Sequence, residues 1–260
     1  MRVSRDGPSV WIEQQGCAGR RVPAQAVGRV VVIGRVRLDS DVVTLFTARD
    51  VPVVFVDRAG GEHAVALPSN HKLPAHYRRQ ARMAASKDAV AAFKRWAGEK
   101  RHVVEVGVLR RLFPQLKKQL RFGVGEGNYA YMIASALPED KGLVVPVASV
   151  VGSLFAALVT ERVVGAGLDC NTGVIHRRRN FGFVADLAHV LKAEADLQCV
   201  EFFRNAGGRA LLRKEGQAWG ITRAGMKDIA GRFERRRKRV ADTVDGMIDE
   251  VLTLMREVKI

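Results

Sequence analysis

At 260 residues with 47% hydrophobic content, the chain can bury one large core or two modest ones, which excludes a disordered polyelectrolyte. Forty-three Lys and Arg against 27 Asp and Glu leave a formal net charge of +16. That excess favours a polyanion bound through phosphate neutralisation, nucleic acid ahead of acidic lipid, because no basic amphipathic helix with an aromatic apolar face stands out.

Residues 1–66 read as a small β-rich domain. Short branched or aromatic runs at Val10 to Ile12, Val30 to Ile33, Val36 to Leu38 and Val53 to Val56 are punctuated by glycines, and Ser40 to Arg49 reads as one short helix with a Ser or Asp cap. Asp57 and His63 stand alone there, as a turn aspartate and a surface histidine. Residues 67–76 form a linker in which Pro68 and Pro74 break regular structure. From 77 to 260 the pattern is helical, so the fold class is α+β: a small N-terminal β-rich domain, then a larger all-α domain. Tyr77 to Trp96 and Val104 to Leu120 recur apolar at threes and fours with basic residues between them.

Gly123, Gly125 and Gly127 have the look of a phosphate loop. No dinucleotide-fold strand precedes them and no Lys-Ser or Lys-Thr follows, so a nucleotide site is rejected in favour of a helix that Glu126 opens. The apolar stretch Leu143 to Leu158, interrupted by Pro146, Ser149, Gly152 and Ser153, reads as a buried helix. No apolar run reaches the ~18 residues of a membrane span, and the N-terminus has no apolar leader, so no membrane is expected. Cys17, Cys170 and Cys199 are scattered and lack metal-ligand spacing, which fits a reduced cytoplasmic compartment.

The chemistry concentrates between Gly165 and Asp196. A β-prone segment, Gly173-Val174-Ile175, leads to His176, then Arg177, Arg178 and Arg179, then a helix from near Phe181 that carries Asp186 and His189 on one face. Imidazole and carboxylate beside guanidiniums suit a divalent metal working on a phosphodiester, with the arginines holding phosphates. Read more plainly, the arginines are a charged loop, His189 a hydrogen-bonded core residue, and Asp186 an acceptor that orients an imidazole. Further on, the basic run containing Arg235, Arg236, Arg237 and Lys238 is either a DNA-backbone track or solvated surface. Val244 to Val258 carries an amphipathic stripe that packs on the domain or on another subunit.

These pieces, in this order, resemble the CRISPR-associated integrase family, the DNA-integrating subunit of the spacer-acquisition machinery of antiviral defence. Val30 to Ser40 and Val51 to Asp57 are similar to its β domain. Glu126-Gly127-Asn128 resembles the segment with its first metal-ligand glutamate, Gly167-Leu168-Asp169 through His176 its run into the ligand histidine, and Phe183 to Leu187 its acidic helix. Trp219 to Lys227 is similar to the family's threonine-to-glycine stretch.

The resemblance implies a metal-dependent endonuclease and integrase that inserts spacer DNA by attack of a 3′-hydroxyl on a phosphodiester. Mg²⁺ or Mn²⁺ would be held by Glu126, His176 and one of Asp186 or His189. It also implies double-stranded DNA as partner, a homodimer or higher homo-oligomer, and the family's small ferredoxin-like subunit as a candidate companion. Two departures stand out. His189 occupies the position where the family usually places a ligating carboxylate, and only nineteen residues separate Glu126 from Pro146, so a helical insert looks trimmed. The alternative is therefore a DNA-binding assembly subunit of the same fold with a weakened site. A third reading, an RNA-binding scaffold, predicts no convergence of these residues.

Overall fold

The computed structural model describes residues 1–56, 62–68, 73–116, 118–122, 124–204, 207–216 and 218–257, and falls into two units, Met1–Leu73 and Pro74–Ile260. In the first, β1 (Arg2–Asp6) and β2 (Ser9–Glu13) form an antiparallel hairpin, with β3 (Arg20–Pro23) on the far side of β2. A second sheet centres on β6 (Val53–Val56), parallel to β4 (Val30–Ile33) and antiparallel to β7 (Glu62–Ala66). The two-residue strand β5 (Arg37–Leu38) returns to pair with β1 in parallel.

Helix α1 (Ser40–Thr47) follows, with Val42, Leu45 and Phe46 on one face. That face packs with Val3 and Val10 of the first sheet and Val32 and Val53 of the second into one core. The cap position is Asp39, just before the stretch in which a Ser or Asp cap was expected, and its side chain makes no capping bond. Asp57 and the side chain of His63 lie outside the described residues, as does the stretch 69–72 of the expected linker.

Among the described residues, the regular structure of the second unit is helical apart from a hairpin of β8 (Leu212–Glu215) and β9 (Ala218–Ile221). Helix α2 (Tyr77–Ala85) does not run on to Trp96 as the periodicity predicts. Ser86 takes an extended conformation, and its side chain accepts from the amide of Ala89 to start α3 (Lys87–Leu112). Pro114 then ends α3, so short 3₁₀ turns replace the helix expected up to Leu120.

After α4 (Glu126–Ser135) comes α5 (Lys141–Gly165), capped by Asp140, whose carboxylate accepts from the amide of Gly142 at 2.9 Å. This helix is longer than Leu143 to Leu158 and has the length and composition of a membrane span. The other helices bury 61% of its most apolar window. Helices α6 (Gly182–Val190), α7 (Lys192–Arg204) and α8 (Arg223–Glu257) surround it, with Phe155 of α5 edge-on to Phe233 of α8 at 5.4 Å. The stripe from Val244 onward packs inside this unit: Val244, Met247, Ile248, Val251 and Met255 are all buried. Phe93 of α3 joins Trp96 and Phe183, which fixes α6 against α3.

Candidate active site

The segment that carries His176 is an irregular loop between α5 and α6, not a strand. Its amides explain why. Those of Val174, Ile175 and His176 all donate to the carboxylate of Asp186, at 2.6, 3.1 and 2.9 Å. A strand would direct successive N–H groups to opposite sides, whereas here three in a row wrap around one anion.

The rest of the loop is tied as closely. Gln80 of α2, fully buried, donates to the carbonyls of Asp169 and Thr172 and accepts from the amide of Asp169, all within 2.9 Å. Asn171 accepts from the amide of Phe181 at 3.1 Å. Gly173 and Gly182 touch backbone to backbone, and a Cβ on Gly182 would stand 2.4 Å from the carbonyl oxygen of His176. Phe181 turns the chain into α6 with a left-handed φ of 56°.

Asp186 is fully buried, and its Oδ1 also lies 2.6 Å from Nδ1 of His176. A carboxylate surrounded by three amide donors acts as the acceptor, so Nδ1 donates and Nε2 carries the ring's lone pair. Asp186 thus stands behind the imidazole, which is one-third exposed, rather than beside it. The rings of His176 and His189 stand edge to face at 63°, with centroids 6.1 Å apart.

His189 is not a core residue. It is exposed at the last turn of α6, and its Nε2 lies 3.0 Å from Nη1 of Arg101 on α3. Arg101 is itself held by Glu105 at 2.8 Å, a buried carboxylate one turn further along α3. Nearby, the Tyr129 hydroxyl of α4 donates to Asp196 at 3.0 Å, and burial followed by that carboxylate pushes the phenol well above its ordinary range.

Glu126 is the first residue of α4, three positions before Tyr129, and its side chain lies outside the described residues. Among the described residues, no three His, Cys, Asp or Glu side chains converge as a metal cluster. Of the expected site residues, His176 and His189 have neighbouring rings, and His176 is bonded to Asp186.

Arg177, Arg178 and Arg179 are exposed, and Nε of Arg177 donates to the carbonyl of Val174 at 3.0 Å, so the first of the three also braces the loop. In the later basic run, Arg236 and Arg237 form ion pairs with Glu201 of α7 and Glu161 of α5, while Arg235 and Lys238 are exposed. That run is partly structural glue. Arg101, Glu105 and Gln80 escape sequence reasoning. Arg101 and Glu105 are four apart on a helix, an ordinary surface pattern, and nothing local signals the contact with a histidine 88 residues later.

Residues 1–117 match the family model described as CRISPR associated protein Cas1. No curated protein matches the sequence. Among solved structures, a Cas1 protein from Thermotoga maritima is similar over 100% of this chain and 95% of its own, with TM-score 0.79 and 16% identity. A casposase bound to integration product is similar over 100% of this chain and 89% of its own, with TM-score 0.74 and 12% identity. A chain of a Cas6-RT-Cas1–Cas2 complex is similar over 98% of this chain and 34% of its own, with TM-score 0.75 and 11% identity. With the family model over its first 117 residues and the same fold over its whole length, the chain is similar to CRISPR-associated Cas1 proteins in sequence at its N-terminal part and in fold throughout.

Proposed function

We propose that this chain is a DNA integrase and endonuclease of CRISPR adaptation that works with Mg²⁺ or Mn²⁺ and acts on double-stranded DNA as a homodimer or higher homo-oligomer. The observation that carries the reading is the imidazole of His176, whose Nδ1 is fixed by a buried carboxylate at the head of three consecutive arginines. The similar casposase bound to an integration product supports strand joining, and the similar chain in a complex with Cas2 supports the small ferredoxin-like subunit as a companion.

The donors fit a divalent ion on the His176 side. A buried carboxylate behind the ring sets its tautomer and orientation, the usual arrangement behind a metal-bound imidazole. His176 through Nε2, together with Glu126 and His189, would hold the ion. Bound there, it would supply positive charge at the reacting phosphate and ease deprotonation of the attacking oxygen.

The chain's own residues position and neutralise. Asp186 fixes the imidazole, and Arg178 and Arg179 offset phosphates flanking the reacting one. In strand joining, the incoming 3′ oxygen loses a proton and forms a P–O bond as the target strand's P–O bond breaks. The displaced 3′ oxygen takes up a proton, and with water as attacker the product is a nick.

The test is transfer of a short 3′-hydroxyl duplex into supercoiled plasmid with Mn²⁺, Mg²⁺ or chelator, for the natural protein and for His176→Ala. Metal-dependent joining that falls at least about 10²-fold in His176→Ala is the expected result. The contact between Arg101 and His189 favours a second reading, a DNA-binding assembly subunit with a weakened site. Salt-sensitive DNA binding with no joining or nicking under any ion would establish that role instead.

A further inference from the structure

Arg101 bonds a candidate metal ligand, His189. A guanidinium donates and never accepts. Its Nη1 stands 3.0 Å from Nε2 of His189, so the histidine must present its lone pair there and carry its proton on Nδ1. A neutral imidazole has one lone pair. An ion on Nε2 would have to displace Arg101, and an ion on Nδ1 would leave an N–H on Nε2 pointed at the guanidinium's own N–H. Reversing the ring does not change this outcome.

Arg101 is not a loose surface arginine that swings away at no cost. Its Nε is anchored at 2.8 Å by Glu105, whose side chain is 6% exposed, one turn along the same helix. Withdrawing the guanidinium would leave that carboxylate buried and unpaired.

We infer that Arg101 and a divalent ion compete for His189, so that Arg101 sets how tightly this protein holds its ion. The inference rests on the proposed metal site. It assigns Arg101 a positioning role: with the arginine on His189, the imidazole pair has one arm open, and ion binding closes the second arm only as Arg101 leaves. Glu105 acts through Arg101, holding it in place.

The experiment is a Mn²⁺ titration of the full chain, following the paramagnetic resonance of the free ion. Arg101→Gln is made together with Glu105→Gln, so that no freed carboxylate can bind Mn²⁺ in its place. This pair is expected to tighten Mn²⁺ binding roughly tenfold, the worth of a hydrogen bond to a charged donor. In a His189→Ala background the same pair is expected to change affinity less than about twofold.

A gain that persists without His189 would mean an effect that does not pass through the histidine and would overturn the competition, as would no gain at all. His176→Ala separates the two readings. Mn²⁺ binding lost in His176→Ala but indifferent to Arg101 sinks this inference and leaves the metal site standing, whereas no Mn²⁺ binding in any variant sinks both. If the glutamine pair does not fold by circular dichroism, Arg101→Leu with Glu105→Met fills similar space without charge and carries the same expectation.

Discussion

Asp186 and His176 are bonded to each other and do different work, which single substitutions separate. Asp186 accepts three amides and an imidazole N–H from a fully buried position, so Asp186→Asn turns an amide group toward donors. The expected cost is about 2–4 kcal/mol, together with loss of strand joining. His176→Ala removes a ring that is one-third exposed, and its stability should stay within about 1 kcal/mol of the natural protein while joining is lost. Urea unfolding of the two variants beside the plasmid assay checks the contrast; equal destabilisation would show His176 to be as structural as Asp186. The residue types at 176, 186 and 189 are visible in the sequence because a polar cluster in apolar surroundings is unusual. The bond between His189 and Arg101 is not visible, because a contact across 88 residues leaves no local pattern.

Among the elements, the loop from Ala166 to Phe181 matters most, and two glycines allow it to close. Gly182→Ala would put a methyl 2.4 Å from the carbonyl oxygen of His176 and 3.1 Å from that of Asn171. Overpacking of this kind costs about 1–3 kcal/mol, and a shift of about 1 Å at His176 costs on the order of 10²-fold in rate. Thermal unfolding and joining rates measured on the same preparation test it, and a variant with natural activity would mean that the loop tolerates displacement. Val174 and Ile175 read as a strand because branched residues favour extended backbone, but a buried carboxylate claimed their amides first. The break at Ser86 was legible in principle, since Ser followed by Lys-Asp-Ala is a helix start. It was hidden by an apolar period that continues on both sides. Strands β1 and β3 went unseen for a different reason: Arg2–Asp6 buries Val3 and Arg20–Pro23 buries no residue, so neither shows an alternating pattern.

At the scale of the whole molecule, the 43 Lys and Arg divide between two kinds of work. Arg111 and Arg239 meet at Glu194, Arg162 pairs with Asp245, and Arg236 with Glu201, so some of the arginines cross-link helices. Exposed cations such as Arg178 and Arg179 remain for phosphates. DNA affinity should fall linearly with log salt, and Arg178→Gln with Arg179→Gln should lower that slope by about 2. An unchanged slope in fluorescence anisotropy titrations would place the DNA track elsewhere. The order of a β-rich region followed by a helical one was readable because the hydrophobic period switches from 2 to 3.6 near residue 77. The hairpin β8–β9 was missed because two four-residue strands beside a turn at Gly216 are too short to stand out from helical neighbours.

The grip of Asp186 on the amides before it also sets an order in time. Gln80 emerges from the ribosome well before the loop it pins, and Asp186 comes ten residues after His176. A nascent chain that ends short of α6 has most of its helical scaffold and the three arginines, yet nothing to gather the loop around. The imidazole of His176 is therefore set in place only when the chain has grown past it.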